Sequence, residues 1–248
     1  MKKIFKQFLN ARGYELINAR KQASRRVGSM ENLLVDIKNR GFECRTILDV
    51  GANTGSWSRL AKKVFPGSEI WLIEPQEEMK AKLENFCTEF PGSRFIMAGA
   101  GAEKDALVFT VWDDLAGSSF LPKTDLSLIK SKKQREVPVI PINDLIRSGE
   151  LPMPDLIKMD IQGFELQALK GASDSFGNTE VYIIEVSMFS FDEGMPTFSD
   201  LVLFMLERDY VAYDFPGFLR RPLDGALGQC DICFVKKNGY LRKSSKWS

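Results

Sequence analysis

Histidine is absent from the 248-residue chain, and cysteine occurs four times. Without imidazole, proton transfer near neutral pH falls to carboxylates or to a metal-bound group, and zinc sites built from mixed thiolate and imidazole are excluded. Cys44 and Cys87 stand alone, while Cys230 and Cys233 form a single C-x-x-C with no second pair to complete a tetrahedral set. The segment Gln229 to Val235 reads as a strand, in which residues three apart point to opposite faces, so these two thiols are expected to diverge. No run of eighteen apolar residues exists, and Lys6, Gln7 and Asn10 interrupt the apolar character at the N-terminus. Neither a membrane span nor a secretory signal is expected, and the expectation is cytoplasmic residence. Excess charge is missing too: 34 basic against 33 acidic residues leave a net of +1, which gives no support for nucleic acid as a partner. Internal repeats and low-complexity tracts are absent.

What remains, 27% charged and 44% hydrophobic residues, is the profile of a folded globular protein. The near-zero net charge hides an asymmetry. Residues 1 to 30 carry eight basic side chains and one acid, so this leader is at +7 and the rest of the chain at −6. Ile4, Phe5, Phe8, Leu9, Leu16 and Ile17 lie between those charges. The segment reads as a helix either packed on the domain or laid, over residues 1–28, against an anionic membrane surface. The chain accordingly divides into a basic helical N-terminal extension, 1–43, and a main domain, 44–248.

From Thr46 onward short apolar runs alternate with helical patterns, the signature of an open, mainly parallel sheet covered by helices. Strands are expected at Thr46 to Val50, Glu69 to Glu74, Arg94 to Ala98, Leu107 to Trp112, Val137 to Pro141, Leu156 to Asp160, Val181 to Val186, Tyr210 to Phe215 and Asp231 to Lys236. Near-continuous apolar runs such as Ile183-Ile184 within Val181 to Val186 fit strands buried on both faces. Trp57, Leu60, Ala61, Val64 and Phe65 form one helical stripe ending at Pro66-Gly67. Further helices are expected over Glu77 to Phe86 and after Thr197-x-x-Asp200, which resembles a capping box. Asp113 to Glu136 lacks periodicity and reads as a long loop, with adjacent acids Asp113 and Asp114 at its mouth and a basic cluster, Lys130 to Lys133, near its end.

The strongest local signal is Asp49-Val50-Gly51-Ala52-Asn53-Thr54-Gly55, a strand entering a tight turn and then a helix. Gly51 and Gly55 let the backbone approach a ligand, and Asn53 tolerates left-handed geometry. The dinucleotide pattern G-x-G-x-x-G is not met, because Asn stands where the middle glycine belongs. Glu74, followed by Pro75 and nineteen residues beyond Gly55, closes the next strand, where a carboxylate can accept both hydroxyls of a ribose. Asp160 closes another apolar strand at its carboxyl end and so lies in the ligand crevice of such a sheet, facing a ligand amine, a substrate hydroxyl or Lys158. Glu185, near the end of a buried strand, is costly unless paired or used. Glu165 is adequately explained by the positive end of the helix it opens.

The turn, its preceding Asp49 and Glu74 together resemble the cofactor motifs of class I S-adenosylmethionine methyltransferases. Asp155 to Ala172, with the core Lys158-Met159-Asp160-Ile161-Gln162-Gly163-Phe164-Glu165, is similar to the hallmark segment of the FkbM-like family of those enzymes. Gly117-Ser118-Ser119 resembles that family's serine motif, and the likeness spans roughly Ile47 to Val186. One departure is Gln162, where the family usually has an acid. The resemblance implies a Rossmann-like class I methyltransferase fold, a mostly parallel seven-stranded sheet with helices on both faces, preceded here by the helical extension. It further implies S-adenosylmethionine as cofactor, held by Asp49, Gly51, Asn53 and Gly55 around the methionine portion, by Glu74 and Pro75 at the ribose, by Ala100 and Gly101 at the adenine, and by Ser118 and Asp160.

The activity so implied is O-methylation of a hydroxyl on a sugar, a polysaccharide or glycolipid precursor, or a natural product. A hydroxyl must lose its proton as the new bond forms. With no histidine, the base is expected to be Asp160 or Glu185, with a divalent cation as a conceivable assistant held by oxygen ligands. Two other classes share the fold: a nicotinamide-dependent oxidoreductase, disfavoured by the turn, and a non-catalytic methyltransferase-like module. A nucleic-acid methyltransferase is disfavoured by the charge balance and by the lack of an N-P-P-Y or D-P-P-Y type motif.

Overall fold

The computed structural model describes residues 27–246 except 113, 114, 116, 121–124 and 132. The basic leader up to residue 26, the acids Asp113 and Asp114, and Lys132 of the basic cluster lie outside the described residues. Seven strands form one sheet: β1 (Thr46–Val50), β2 (Glu69–Ile73), β3 (Arg94–Ile96), β7 (Leu156–Met159), β8 (Val181–Ser187), β9 (Tyr210–Arg220) and β10 (Leu227–Lys236). Their order is β3-β2-β1-β7-β8-β10-β9. All neighbours are parallel except β10, which runs antiparallel to both β8 and β9. The mostly parallel doubly wound fold expected from the alternation is therefore present.

Local chemistry accounts for the elements. All five residues of β1 are buried, as a strand covered on both faces requires. Helix α2 (Ser56–Val64) starts from Gly55 at φ 73° and stops before Pro66-Gly67. A 3₁₀ turn, Glu77–Met79, leads into α3 (Lys80–Glu89). The capping box is realised at the helix Phe198–Leu206, where the Asp200 carboxylate accepts the Thr197 N–H at 2.8 Å. The core has two halves, one on each face of the sheet. Val50, Ile73, Ile157, Ile184 and Ile232 belong to one, and Ile47, Leu72, Leu156, Ile183 and Val235 to the other. Cys230 falls in the first and Cys233 in the second, so the C-x-x-C thiols diverge across the sheet. Helix α1 (Met30–Asn39) buries Leu33, Leu34 and Ile37 in the second half, so residues 27–43 share the core of the main domain.

Three expectations require correction. The expected strands around Leu107 to Trp112 and Val137 to Pro141 exist as β5 (Asp105–Thr110) and β6 (Gln134–Ile140), but they pair with β4 (Gly99–Ala100) in a separate sheet of order β4-β6-β5. Both are partly exposed, β5 over its first residues and β6 alternately from Glu136 to Ile140, unlike the wholly buried β1 and β7. The stretch Asp113 to Glu136 is not wholly a loop: Asp125 caps a short helix, α4 (Leu126–Lys130), and β6 begins at Gln134. Finally, β9 and β10 run several residues beyond Tyr210 to Phe215 and Asp231 to Lys236. They form a hairpin that projects past the end of the sheet, pairing Leu227 with Arg220 and Gln229 with Leu219.

Candidate functional site

The strand order reverses between β1 and β7, and ligands of open α/β sheets bind beyond the carboxyl ends of the strands at such a point. A cavity of about 520 Å³ opens there. Its walls come from the turn after β1, the ends of β2, β7 and β8, the small residues around β4, and the β9–β10 hairpin.

One end is built by the turn. Gly51, Asn53 and Gly55 all take left-handed backbone angles, φ 77°, 48° and 73°. A Cβ on Gly51 would lie 2.0 Å from the Asp160 carbonyl oxygen, so only glycine lets these two loops meet. The Gly51 and Ala52 amides donate to the Ile73 carbonyl, tying the turn to β2. Glu74 follows, almost wholly buried; its Oε2 accepts the Asn53 N–H at 2.7 Å and its Oε1 the Gln76 N–H at 2.9 Å. Burial raises its pKa and the backbone amides hold it down. Each carboxylate oxygen can accept a second hydrogen bond, and Glu74 lines the cavity, so a vicinal diol fits its free acceptor capacity. The buried Gln76 Oε1 and Trp57 Nε1, also on the cavity wall, have no partner among the described residues and add an acceptor and a donor. Ala98, Gly99 and Ala100 keep the adjoining wall flat, backed by the Phe120 ring, which a Cβ on Gly99 would strike. These features suit an adenosyl group.

The other end is a cluster of charges. Lys158 on β7 is buried, 3.2 Å from Asp160 Oδ2 and 3.7 Å from Asp49 Oδ1. Burial alone would lower its pKa, but the two carboxylates reverse that and push it up. Asp49, fully buried, also accepts the Ser58 hydroxyl at 2.6 Å; burial raises its pKa against the pull of Lys158. The Gln162 amide donates to Asp160 Oδ1 at 2.8 Å and to Glu185 Oε2 at 2.5 Å, and the Gln229 amide reaches Glu185 Oε2 at 3.0 Å. Burial and the neighbouring Asp160 push Glu185 up to about 9. Burial would raise Asp160 as well, but Lys158, the Gln162 amide and a hydrogen bond from Glu185 leave it below its ordinary value. The opposite shifts favour a proton on Glu185 over one on Asp160.

Of the residues singled out in the sequence, Gly51, Asn53, Glu74, Pro75, Ala100, Ser118, Asp160 and Glu185 line this one cavity. Asp49, Gly55 and Gly101 do not. Asp49 lies beneath the floor and anchors Lys158, Gly55 shapes the start of α2, and Gly101 packs its backbone against Gly171. Glu165 is fully buried, its carboxylate accepts the Ile161 and Gly163 amides, and burial lifts it to about 7. The cavity also takes Trp57 and Gln76, each two residues beyond a predicted site residue but read only as a helix-stripe residue or not at all, and Phe109, Phe120, Leu219 and Gln229, which long-range packing brings there. Lys158 and Gln162 were visible in the hallmark segment, one as a possible ion-pair partner and the other as a departure. Among the described residues no group of three or more acidic or thiol side chains gathers to hold a metal, and the Asp160 and Glu185 oxygens meet nitrogen donors instead.

No helix of the described residues is long and apolar enough to cross a membrane. Hexuronic acid methyltransferase AglP of Haloferax volcanii is 23% identical over 139 residues, covering 56% of this chain and 54% of that protein. Methyltransferase 1 of Beauveria bassiana is 25% identical over 151 residues, covering 52% of this chain and 58% of that one. The chain therefore spans little more than half the length of the curated relatives it matches. The crystal structure of methyltransferase FkbM from Methylobacillus flagellatus KT shares the fold, with a TM-score of 0.50 and 22% identity over 87% of this chain and 46% of that one. The profile of the methyltransferase FkbM domain matches residues 49–212, which begins at the Asp49 turn and takes in the Asp160 segment and Glu185, and the chain belongs to that family.

Proposed function

We propose that the protein is an S-adenosylmethionine-dependent O-methyltransferase acting on a hydroxyl of a sugar or glycan precursor. The observation that carries this is the pairing, in one cavity, of a ribose-competent carboxylate at Glu74 with a carboxylate at Asp160 held by Lys158 and the Gln162 amide. When bound, the sulfonium cofactor supplies an electrophilic methyl group. Glu74 would hold the two ribose hydroxyls, Gly51 would give the chain close approach, and Gln76 with the wall of Ala98 to Ala100 would border the base. Asp160 would orient the acceptor hydroxyl and accept its proton. Holding the reacting atoms in line supplies most of the acceleration, roughly 7 to 11 kcal/mol for well-oriented reactants. Asp49 keeps Lys158 charged and in place, and Lys158 keeps Asp160 ionised.

A sugar acceptor is supported by the relative named a hexuronic acid methyltransferase and by the amides and carboxylates at this end of the cavity, which suit hydroxyl recognition. The test is calorimetry with S-adenosylhomocysteine and with NAD on the full chain, followed by mass spectrometry of sugar nucleotides and uronic acid oligosaccharides incubated with S-adenosylmethionine. Heat with the first ligand only and a gain of one methyl are expected. No heat with S-adenosylhomocysteine would overturn the reading.

A further inference from the structure

Gln162 sits where two carboxylates from different elements converge, Asp160 after β7 and Glu185 on β8. Both hydrogens of its amide are committed, one to each acid, and its Oε1 accepts from Gln229 Nε2 at 3.2 Å. The second Gln229 hydrogen goes to Glu185 Oε2 at 3.0 Å. All four amide hydrogens therefore have acceptors in one ring. Turning the Gln162 amide over would set its oxygen against two acids and its nitrogen against another NH₂, so the ring admits one orientation. The backbone is equally constrained: Gln162 has φ 52°, a left-handed conformation that costs a side-chain-bearing residue about 1 kcal/mol. The Glu165 carboxylate holds it there by accepting the N–H groups of Ile161 and Gly163 on either side. Such strain persists where the surroundings over-determine it, and it collects at functional sites.

We propose that Gln162 and Gln229 are positioning residues that lock Asp160 and Glu185 side by side in a single hydrogen-bonded arrangement, with Asp160 presented to the acceptor. A carboxylate has about four acceptor positions. Gln162 and Lys158 take one on each oxygen of Asp160, leaving acceptor capacity on both for Glu185 and for the acceptor hydroxyl. The groups acting on the pair are Lys158 on β7, Asp49 on β1, Asp231 on β10 opposite Glu185, and Glu165 on the helix Glu165–Lys170. One cation among so many acids cannot balance them all in the charged state. A neutral amide at 162 adds two donors without adding charge, whereas an acid there would enlarge the imbalance.

The inference rests on the role given to Asp160 above, and its test needs neither cofactor nor acceptor. Carboxyl carbons of the full chain, labelled in Asp and Glu and assigned with Asp160→Asn and Glu185→Gln, are titrated by NMR. In the wild type Asp160 is expected to ionise below the ordinary aspartate range while Glu185 keeps its proton to about pH 9. Gln162→Leu should raise the Asp160 midpoint by about one pH unit, a tenfold change in proton affinity. Gln229→Leu, which frees the Gln162 amide, should move it the same way by less, and it supplies the reading if Gln162→Leu does not fold. Ordinary, independent titration of both acids in the wild type, or an unmoved Asp160 in a folded variant, would overturn the assignment. Failure to bind S-adenosylhomocysteine would overturn the transfer reading instead and leave this titration unchanged.

Discussion

At the scale of single residues, sterics and hydrogen-bond geometry make separable demands. Gly51 and Gly177 both have positive φ, 77° and 81°, but an added Cβ meets the Asp160 carbonyl at Gly51 and nothing within 4 Å at Gly177. Gly177→Ala should therefore cost only the left-handed penalty, about 1 kcal/mol, and Gly51→Ala about 3 kcal/mol, as read from urea denaturation midpoints. Glu74→Ala removes an acceptor made for hydroxyls and leaves the Asn53 and Gln76 amides unpaired. Its S-adenosylhomocysteine affinity should fall by about ten- to a hundredfold, the size of a charge-assisted hydrogen bond of roughly 1.5 to 3 kcal/mol. An affinity within twofold of wild type would remove Glu74 from the ribose site. Glu74, Gly51 and Gly55 were legible in the sequence because their duties are local to a strand end and a turn. Gln229 was not, since it reaches Glu185 only through the register of β10 against β8.

Among the elements, the main-sheet strands and the helices that follow them were readable wherever burial repeats with a fixed period. β1, β7 and β8 are apolar on both faces, and α2 carries one stripe. The cap on Phe198–Leu206 was legible for the same local reason, and it sits on a helix whose other contacts do not depend on it. Asp200→Ala is expected to cost about 1 kcal/mol in chemical denaturation while cofactor binding stays at the wild-type level. β4, β5 and β6 were harder. They are short, and nothing in their composition distinguishes a strand of the main sheet from one in the separate sheet that carries Phe109 to the cavity, with Phe120 set beside it by the Thr110–Ser119 bridge. The extension of β9 and β10 into a hairpin was equally hidden, because its outer residues Phe218, Leu219 and Leu223 are exposed and lack an alternating burial pattern.

For the molecule as a whole, the buried acids around the cavity link stability to pH. The folded state raises Glu165 to about 7 and Glu185 to about 9, against an ordinary value of 4.5. A raised acid binds its proton more tightly when folded, so its contribution is complete below the unfolded pKa and is lost as pH rises through the folded one. The melting temperature is thus expected to fall between about pH 5 and pH 9, in two stages. Below about pH 7 both acids contribute to the fall and above it Glu185 alone; in differential scanning calorimetry Glu165→Gln should therefore lessen the slope only below about pH 7, and Glu185→Gln should lessen it below about pH 7 and flatten the stage above. A melting temperature that climbs through this window would contradict the assigned proton positions.

Sequence alone determined the alternating architecture, the left-handed turn at 51 to 55, the carboxylates at 74, 160 and 185, and the divergence of Cys230 and Cys233. Each follows from a fixed local period or from the conformational limits of single residues. Tertiary structure decided which of those residues meet. It buried Asp49 beside Lys158, made Glu165 a clamp on the loop before it, and brought Gln162 and Gln229 together across three strands. Contacts between residues 67 positions apart depend on strand order and register, and these are fixed by the packing of the whole sheet, which no local pattern encodes.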